Sequence, residues 1–176
     1  RKKILSSIKI KNLTLSNNLK INLINDLSLH KKIKSNINLK KARINSKEVK
    51  NKDIFFAIKG KKRDGNHFIN QAFKKKASLA IVNNINKNNK ISCQIKVKNS
   101  LKFLIEISKK FRENIDTKII AITGSSGKTT LKELLGSSLK KISKVNISPK
   151  SFNNKYGVPL SLFNLDQKDD YGVLEI

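Results

Sequence analysis

The stretch TGSSGKTT, residues 123–130, sets two glycines, one lysine and two adjacent threonines within eight positions. Those types at that spacing make a cradle for phosphate. Gly124 and Gly127 lack a Cβ, so the backbone can turn tightly and aim successive N–H groups inward. Lys128 brings a positive charge toward the β- and γ-phosphates, and the Thr129 hydroxyl can ligate Mg2+. A helix beginning at Lys128 adds the positive end of its dipole. The residues expected to bind ATP are therefore Gly124, Ser125, Ser126, Gly127, Lys128, Thr129 and Thr130. A strict phosphate-loop pattern also wants glycine at position 122, where this chain has Ile122. On these residues alone, a hydrolase, a kinase and a ligase all stay open.

The loop works only if a strand delivers it and a helix receives it. The run KIIAIT predicts a strand over 118–123, a helix follows from Lys128 to Lys141, and a second strand covers 144–148. GVPLSLFNL reads as a helix starting at Pro159, where proline in the first turn is tolerated. YGVLEI is the next strand, and it reads as the middle of one. With no initiator methionine, that pattern suggests a chain cut at one end or both. Upstream, IFFAI (54–58) predicts a buried strand after the polar loop NSKEVKNKD. A turn around Asp64-Gly65 leads into an amphipathic helix with apolar residues at 68, 69, 72 and 73. Strands are expected over 78–82 and 94–97, then the helix LKFLIEISKKFREN, capped by Asn99 or Ser100. Residues 1–40 alternate only weakly and predict short strands or a mixed, partly ordered start. The fold class is α/β: a small amino-terminal α/β substrate domain over 1–115, then the incomplete start of a phosphate-loop, mainly parallel-sheet ATP-binding domain over 116–176.

Composition narrows the class further. Of the 176 residues, 38% are hydrophobic and 29% charged, yet the apolar ones gather into runs, so the chain reads as folded. The net charge of +27 raises a nucleic-acid partner. Only four of the 39 basic residues are arginine, however, and the lysines are spread along the whole chain. Lys, Asn and Ile share A/T-rich codons, which accounts for such a composition without a specific nucleic-acid partner. The single Cys93 fits a packing role in a reducing compartment, and no Cys/His spacing suggests zinc. No apolar stretch reaches the ~20 residues needed to cross a bilayer, and RKKILSSIKIKN lacks a signal-peptide core. The reading is cytoplasmic, without a membrane partner.

TGSSGKTT together with SFNNKYGVPLSLFNL and YGVLEI resembles the Mur ligases of peptidoglycan synthesis. NSKEVKNKDIFFAIKGKKRDGNHFINQAFKKKASLAIV resembles their amino-terminal stretch, so the likeness runs from about residue 42 to the end. FNNKYGVP is similar to the members that add D-Ala-D-Ala. The resemblance implies a monomeric, ATP- and Mg2+-dependent acid–amine ligase acting on UDP-MurNAc-tripeptide and D-Ala-D-Ala. ATP would activate a carboxylate as an acyl phosphate, which the amine then attacks. It implies catalytic roles for Lys128, Thr129 and Glu175, with Thr129 and Glu175 on the metal. It implies substrate binding by Ser46, Asn153 and Asn154, with residues up to about 115 anchoring the UDP end. Lys47 stands where the family has arginine, and a lysine cannot make a forked contact. His30 and His67 are expected to be structural or solvated. Because the family has further metal ligands and a third domain beyond position 176, these residues alone are expected not to catalyse ligation. The alternatives left open are a single-amino-acid ligase of the same class and a basic phosphate-loop protein acting on nucleic acid.

Overall fold

Ile54, Phe55, Phe56 and Ala57 are all fully buried in the computed structural model of the chain, which describes residues 16–28, 32–149 and 152–176. Four consecutive buried positions mean a strand covered on both faces, as a parallel sheet requires. The chain packs as two units, one ending at Ile107 and the other beginning at Ser108.

The first unit opens with a helix, α1 (16–27). A helix stands here in place of the short strands or mixed, partly ordered start that the sequence suggests, although residues 1–15, the 29–31 stretch and His30 within it lie outside the described residues. A pair of asparagines ties this helix to the segment that follows it. Asn17 accepts from Leu39 N at 2.7 Å and donates to Ile37 O at 2.9 Å. Asn25 accepts from Ile33 N at 2.7 Å and donates to Ile33 O at 3.1 Å. The two amides satisfy an extended segment much as a neighbouring strand would. Then come β1 (Ala42–Arg43), β2 (Ile54–Phe56), α2 (Ile69–Lys74), β3 (Leu79–Val82), β4 (Gln94–Lys96) and α3 (Ser100–Glu113). The four strands lie in the order β1-β2-β3-β4, all parallel. Asp53 fixes the edge strand β1 by accepting from Lys41 N (3.2 Å), Lys50 N (3.0 Å) and Arg43 Nε (3.1 Å). Ile69 and Ala72 of α2 pack with Phe55, Ala57, Ala80 and Val82. Asn99 caps α3, its Oδ1 accepting from Leu101 N at 3.0 Å and Lys102 N at 2.9 Å.

The second unit holds β5 (Lys118–Ile122), α4 (Lys128–Leu139), β6 (Val145–Ile147), α5 (Gly157–Phe163) and β7 (Tyr171–Glu175). Its strands run β5-β7-β6, all parallel, with Val173 and Leu174 buried in the middle strand. The division at 107/108 falls inside α3, earlier than the boundary at 115/116 read from the sequence. The later turns of that helix belong to the second unit's packing: Ser108 Oγ donates to Pro159 O at 2.8 Å, and the Phe111 ring meets the edge of Phe163 at 5.3 Å. α5 begins at Gly157, two residues before Pro159, because Asn154 Oδ1 accepts from Tyr156 N (3.0 Å) and Gly157 N (2.9 Å) and starts the helix early.

Candidate functional site

β5 ends at Ile122, and the register that pairs Ile122 with Glu175 brings the ends of two parallel strands side by side. Such carboxyl ends are where open α/β sheets gather ligands. From β5 the chain enters the glycine turn, with Gly124 at φ 144° and Gly127 at φ 73°. A side chain at Gly127 would face the penalty of the left-handed region, about 1–2 kcal/mol. Residues 123–127 are exposed, and Gly127 precedes α4 as its N-cap without a side-chain hydrogen bond, so the first N–H groups of the helix face the turn. Lys128 Nζ folds over the turn and donates to Gly124 O at 2.5 Å.

Glu175 is the centre of the polar cluster. It is 2% exposed, at the end of the middle strand. Its Oε2 accepts from Thr129 Oγ1 at 2.8 Å, and its Oε1 accepts from Asn153 Nδ2 at 2.9 Å. Lys132 Nζ, on a fully buried side chain, lies 3.6 Å from the same Oε2. Behind the carboxylate, Glu175 N donates to Ser148 Oγ at 3.3 Å. A carboxylate this buried persists only with partners, and stripping one partner from a buried ion pair costs on the order of 3–5 kcal/mol. The hydroxyl of Thr129 and the carboxylate of Glu175 are hard oxygen donors held together, the donor chemistry that suits Mg2+.

The fold thus assembles Lys128, Thr129, Glu175 and Asn153 at one place, with Ser125, Ser126 and Thr130 exposed along the turn and the start of α4. Asn154 closes the turn that leads into α5, its Oδ1 accepting from Tyr156 N and Gly157 N. Ser46 lies in the first unit, where its buried hydroxyl donates to Gln71 Oε1 at 2.5 Å. Lys47 is exposed beside it, its N–H donating to Asn45 Oδ1 at 3.0 Å. His67 is in the turn that Asp64 caps. Lys132 and Gln71 escaped the sequence reading. The only signal for Lys132 was its spacing of three from Thr129, which puts both on one helical face. In the first unit, the carboxyl ends of β2, β3 and β4 border a cavity of about 300 Å³ lined by Lys59, Asp64, Asn83, Asn84, Lys98 and Asn99. A recess of about 410 Å³ in the second unit lies at the opposite strand ends, around Asp116–Lys118 and Asp169–Tyr171, and shares no residue with the glycine turn.

The chain matches the catalytic domain of the Mur ligase family over residues 39–112 and the Mur ligase middle domain over 122–176. The chain belongs to the Mur ligase family. Along 96% of its length it is 32% identical to the UDP-N-acetylmuramoyl-tripeptide–D-alanyl-D-alanine ligase of Haemophilus influenzae, covering 36% of that protein. Over 53% of its length it is 46% identical to the UDP-N-acetylmuramoyl-L-alanyl-D-glutamate–2,6-diaminopimelate ligase of Rickettsia rickettsii, covering 19% of it. Its fold matches the MurF ligase of Thermotoga maritima, solved in complex with ADP, with TM-score 0.61 and 35% identity over 77% of this chain and 31% of that one. This Mur ligase chain therefore spans about a third of the length of the D-alanyl-D-alanine-adding relative.

Proposed function

We propose that the chain is the nucleotide-binding and UDP-substrate-binding part of an ATP-dependent ligase of peptidoglycan precursor synthesis, one that joins D-Ala-D-Ala to UDP-MurNAc-tripeptide. The observation that carries this reading is the pairing of Thr129 and Glu175 at 2.8 Å beside an open glycine turn. The turn's N–H groups and the start of α4 would receive the phosphates, and Lys128 would leave the Gly124 carbonyl to follow the γ-phosphoryl group as its charge shifts. Thr129 and Glu175 would hold Mg2+, which supplies charge stabilisation for phosphoryl transfer. The γ-phosphoryl group passes to the peptide carboxylate, giving an acyl phosphate and ADP. Attack by the D-Ala-D-Ala amine then forms the amide and releases phosphate. In the first unit, the cavity lined by Lys59 and Lys98 offers positive charge and amide groups suited to a UDP moiety, with the Asp64 carboxylate, itself engaged by Asn66, also in its lining. Ser46 would reach that substrate only by giving up its bond to Gln71. The proposed enzyme is a cytoplasmic monomer, and size-exclusion chromatography of the full-length protein checks its oligomeric state.

A second reading, a diaminopimelate-adding ligase, draws on the higher identity over half of the chain. Asn153 and Asn154 favour the first reading, since FNNKYGVP is similar to the D-Ala-D-Ala-adding members. Phosphate release by the full-length protein separates the two. With UDP-MurNAc-tripeptide, turnover is expected on D-Ala-D-Ala and not on single amino acids. Turnover on UDP-MurNAc-dipeptide with diaminopimelate alone would replace the first reading by the second.

A further inference from the structure

We propose that Lys132 is a positioning residue: through Glu175 it sets the geometry of the cation site beside the glycine turn. This inference rests on the nucleotide reading above. Among the described residues only Lys20 and Lys132 are buried lysines, and Lys132 is wholly buried. An ammonium is heavily hydrated in water, so a lysine shut away from solvent has to be matched by charge and hydrogen bonding in the protein. At Lys132 the match includes Glu175 Oε2 at 3.6 Å and the exposed Glu133 Oε1, also at 3.6 Å. Thr129 and Lys132 sit three residues apart on α4, hence on one face, and both reach the same carboxylate oxygen.

Neutral partners alone would hold that carboxylate loosely. Thr129 donates its hydroxyl hydrogen to Oε2, which leaves the Thr129 oxygen lone pairs turned outward for a cation. Asn153 donates to the other oxygen, Oε1, at 2.9 Å. Thr129, in the first turn of α4, and Asn153, in the loop before α5, each supply one neutral hydrogen bond, and the charge of Lys132, one turn further along α4, meets Oε2 as well. Without it, only the neutral hydrogen bonds from Thr129 and Asn153 place the carboxylate, and its alignment with the Thr129 hydroxyl loosens. Lys132 touches neither phosphate nor cation in this scheme, and it acts only by keeping two oxygen donors aligned.

The test is Mg2+ titration of fluorescent ATP-analogue binding to the full-length protein, measured beside binding in EDTA. For Lys132→Met, the Mg2+ concentration at half-saturation should rise roughly 10- to 100-fold, the usual effect of removing a partner of a metal ligand. The ratio of nucleotide affinities with and without Mg2+ should fall in step. An unchanged half-saturation overturns the proposal, as does an equal loss of affinity in both conditions, because a merely structural lysine would act that way. Should Lys132→Met not fold, Lys132→Arg takes its place: the charge is kept but the fork cannot occupy the ammonium's position. A severalfold rise supports the proposal, and wild-type behaviour overturns it. If the wild-type protein itself shows no Mg2+-dependent nucleotide binding, the nucleotide reading fails and this inference falls with it. A failure confined to the variants overturns the inference alone.

Discussion

At the scale of single residues, the hydroxyl of Thr129 separates two jobs that the glycine turn combines. Its backbone helps to open α4, while Oγ1 is held by Glu175. Thr129→Val keeps shape and β-branching but removes the hydroxyl. It is therefore expected to lower turnover of the full-length ligase by roughly 10²-fold or more, the scale of losing one preorganised polar group, with Thr129→Ser restoring most of it. Steady-state phosphate release checks both. Asp64 supports a pH prediction of a different kind. The backbone N–H of Asn66 bonding its carboxylate, helped by the Asn66 side chain, holds its pKa below the ordinary value. A depressed folded-state pKa adds stability above the unfolded value, and that stability is lost as pH falls through the folded value. Urea midpoints should therefore drop on acidification below about pH 4, by a small amount because the group is largely solvated. Asp64→Asn should remove this component of the slope. Thr129 was legible because its neighbours announce it. Lys132 was not: in a chain with 39 basic residues, one more lysine on a helix looks like a solvated charge. Burial depends on which face α4 turns to β7, which no local pattern states.

At the scale of elements, Asn154 sits at the start of α5 and is also one of the residues to which the family likeness gives a substrate role. Its Oδ1 meets two N–H groups at the helix start, so Asn154→Ala should cost about 1 kcal/mol of stability. Asn154→Asp keeps the accepting oxygen and should recover that loss. If turnover also returns in the Asp variant, the residue serves the helix and not the substrate. A matching case ends α2. Lys76 lies at φ 65°, with Lys76 N donating to Phe73 O at 2.9 Å and Ala77 N to Ala72 O at 3.1 Å. This closure normally uses glycine. Lys76→Gly should raise stability by about 0.5–1 kcal/mol, relief of left-handed strain being partly offset by a more flexible unfolded chain. Thermal unfolding reads it. The strands and helices from residue 54 onward were legible because apolar runs and turn residues agree there. α1 was not, because Asn17 and Asn25 look like loop residues until the segment that they clamp is in view. The start of α5 was misplaced for a related reason: proline is a louder signal than an asparagine five residues earlier.

For the whole molecule, a net charge of +27 sets up a competition between a specific anion site and general attraction to polyanions. Three features argue that the charge is not itself the function. Most of it is lysine, distributed along the whole chain. The charge that matters to the candidate site is local: Lys128 over the turn and Lys132 beneath Glu175. The sheet, moreover, delivers a buried carboxylate to that site, a hard oxygen donor suited to a Mg2+-bound nucleotide and of no use for gripping a bare nucleic-acid backbone. Binding of duplex DNA by the full-length protein is therefore expected to be sequence-independent and to fall by orders of magnitude between about 50 and 200 mM salt, as counterion release dictates. Binding of the ATP analogue with Mg2+ should weaken far less over that range, because the donors proposed for it are backbone N–H groups and two fixed side chains. Fluorescence anisotropy of labelled DNA and of the nucleotide, followed across the same salt series, measures both slopes. Parallel slopes would mean that the nucleotide is held by the general field and not by the turn between β5 and α4. DNA-stimulated phosphate release that survives the higher salt would move the protein out of the ligase reading altogether.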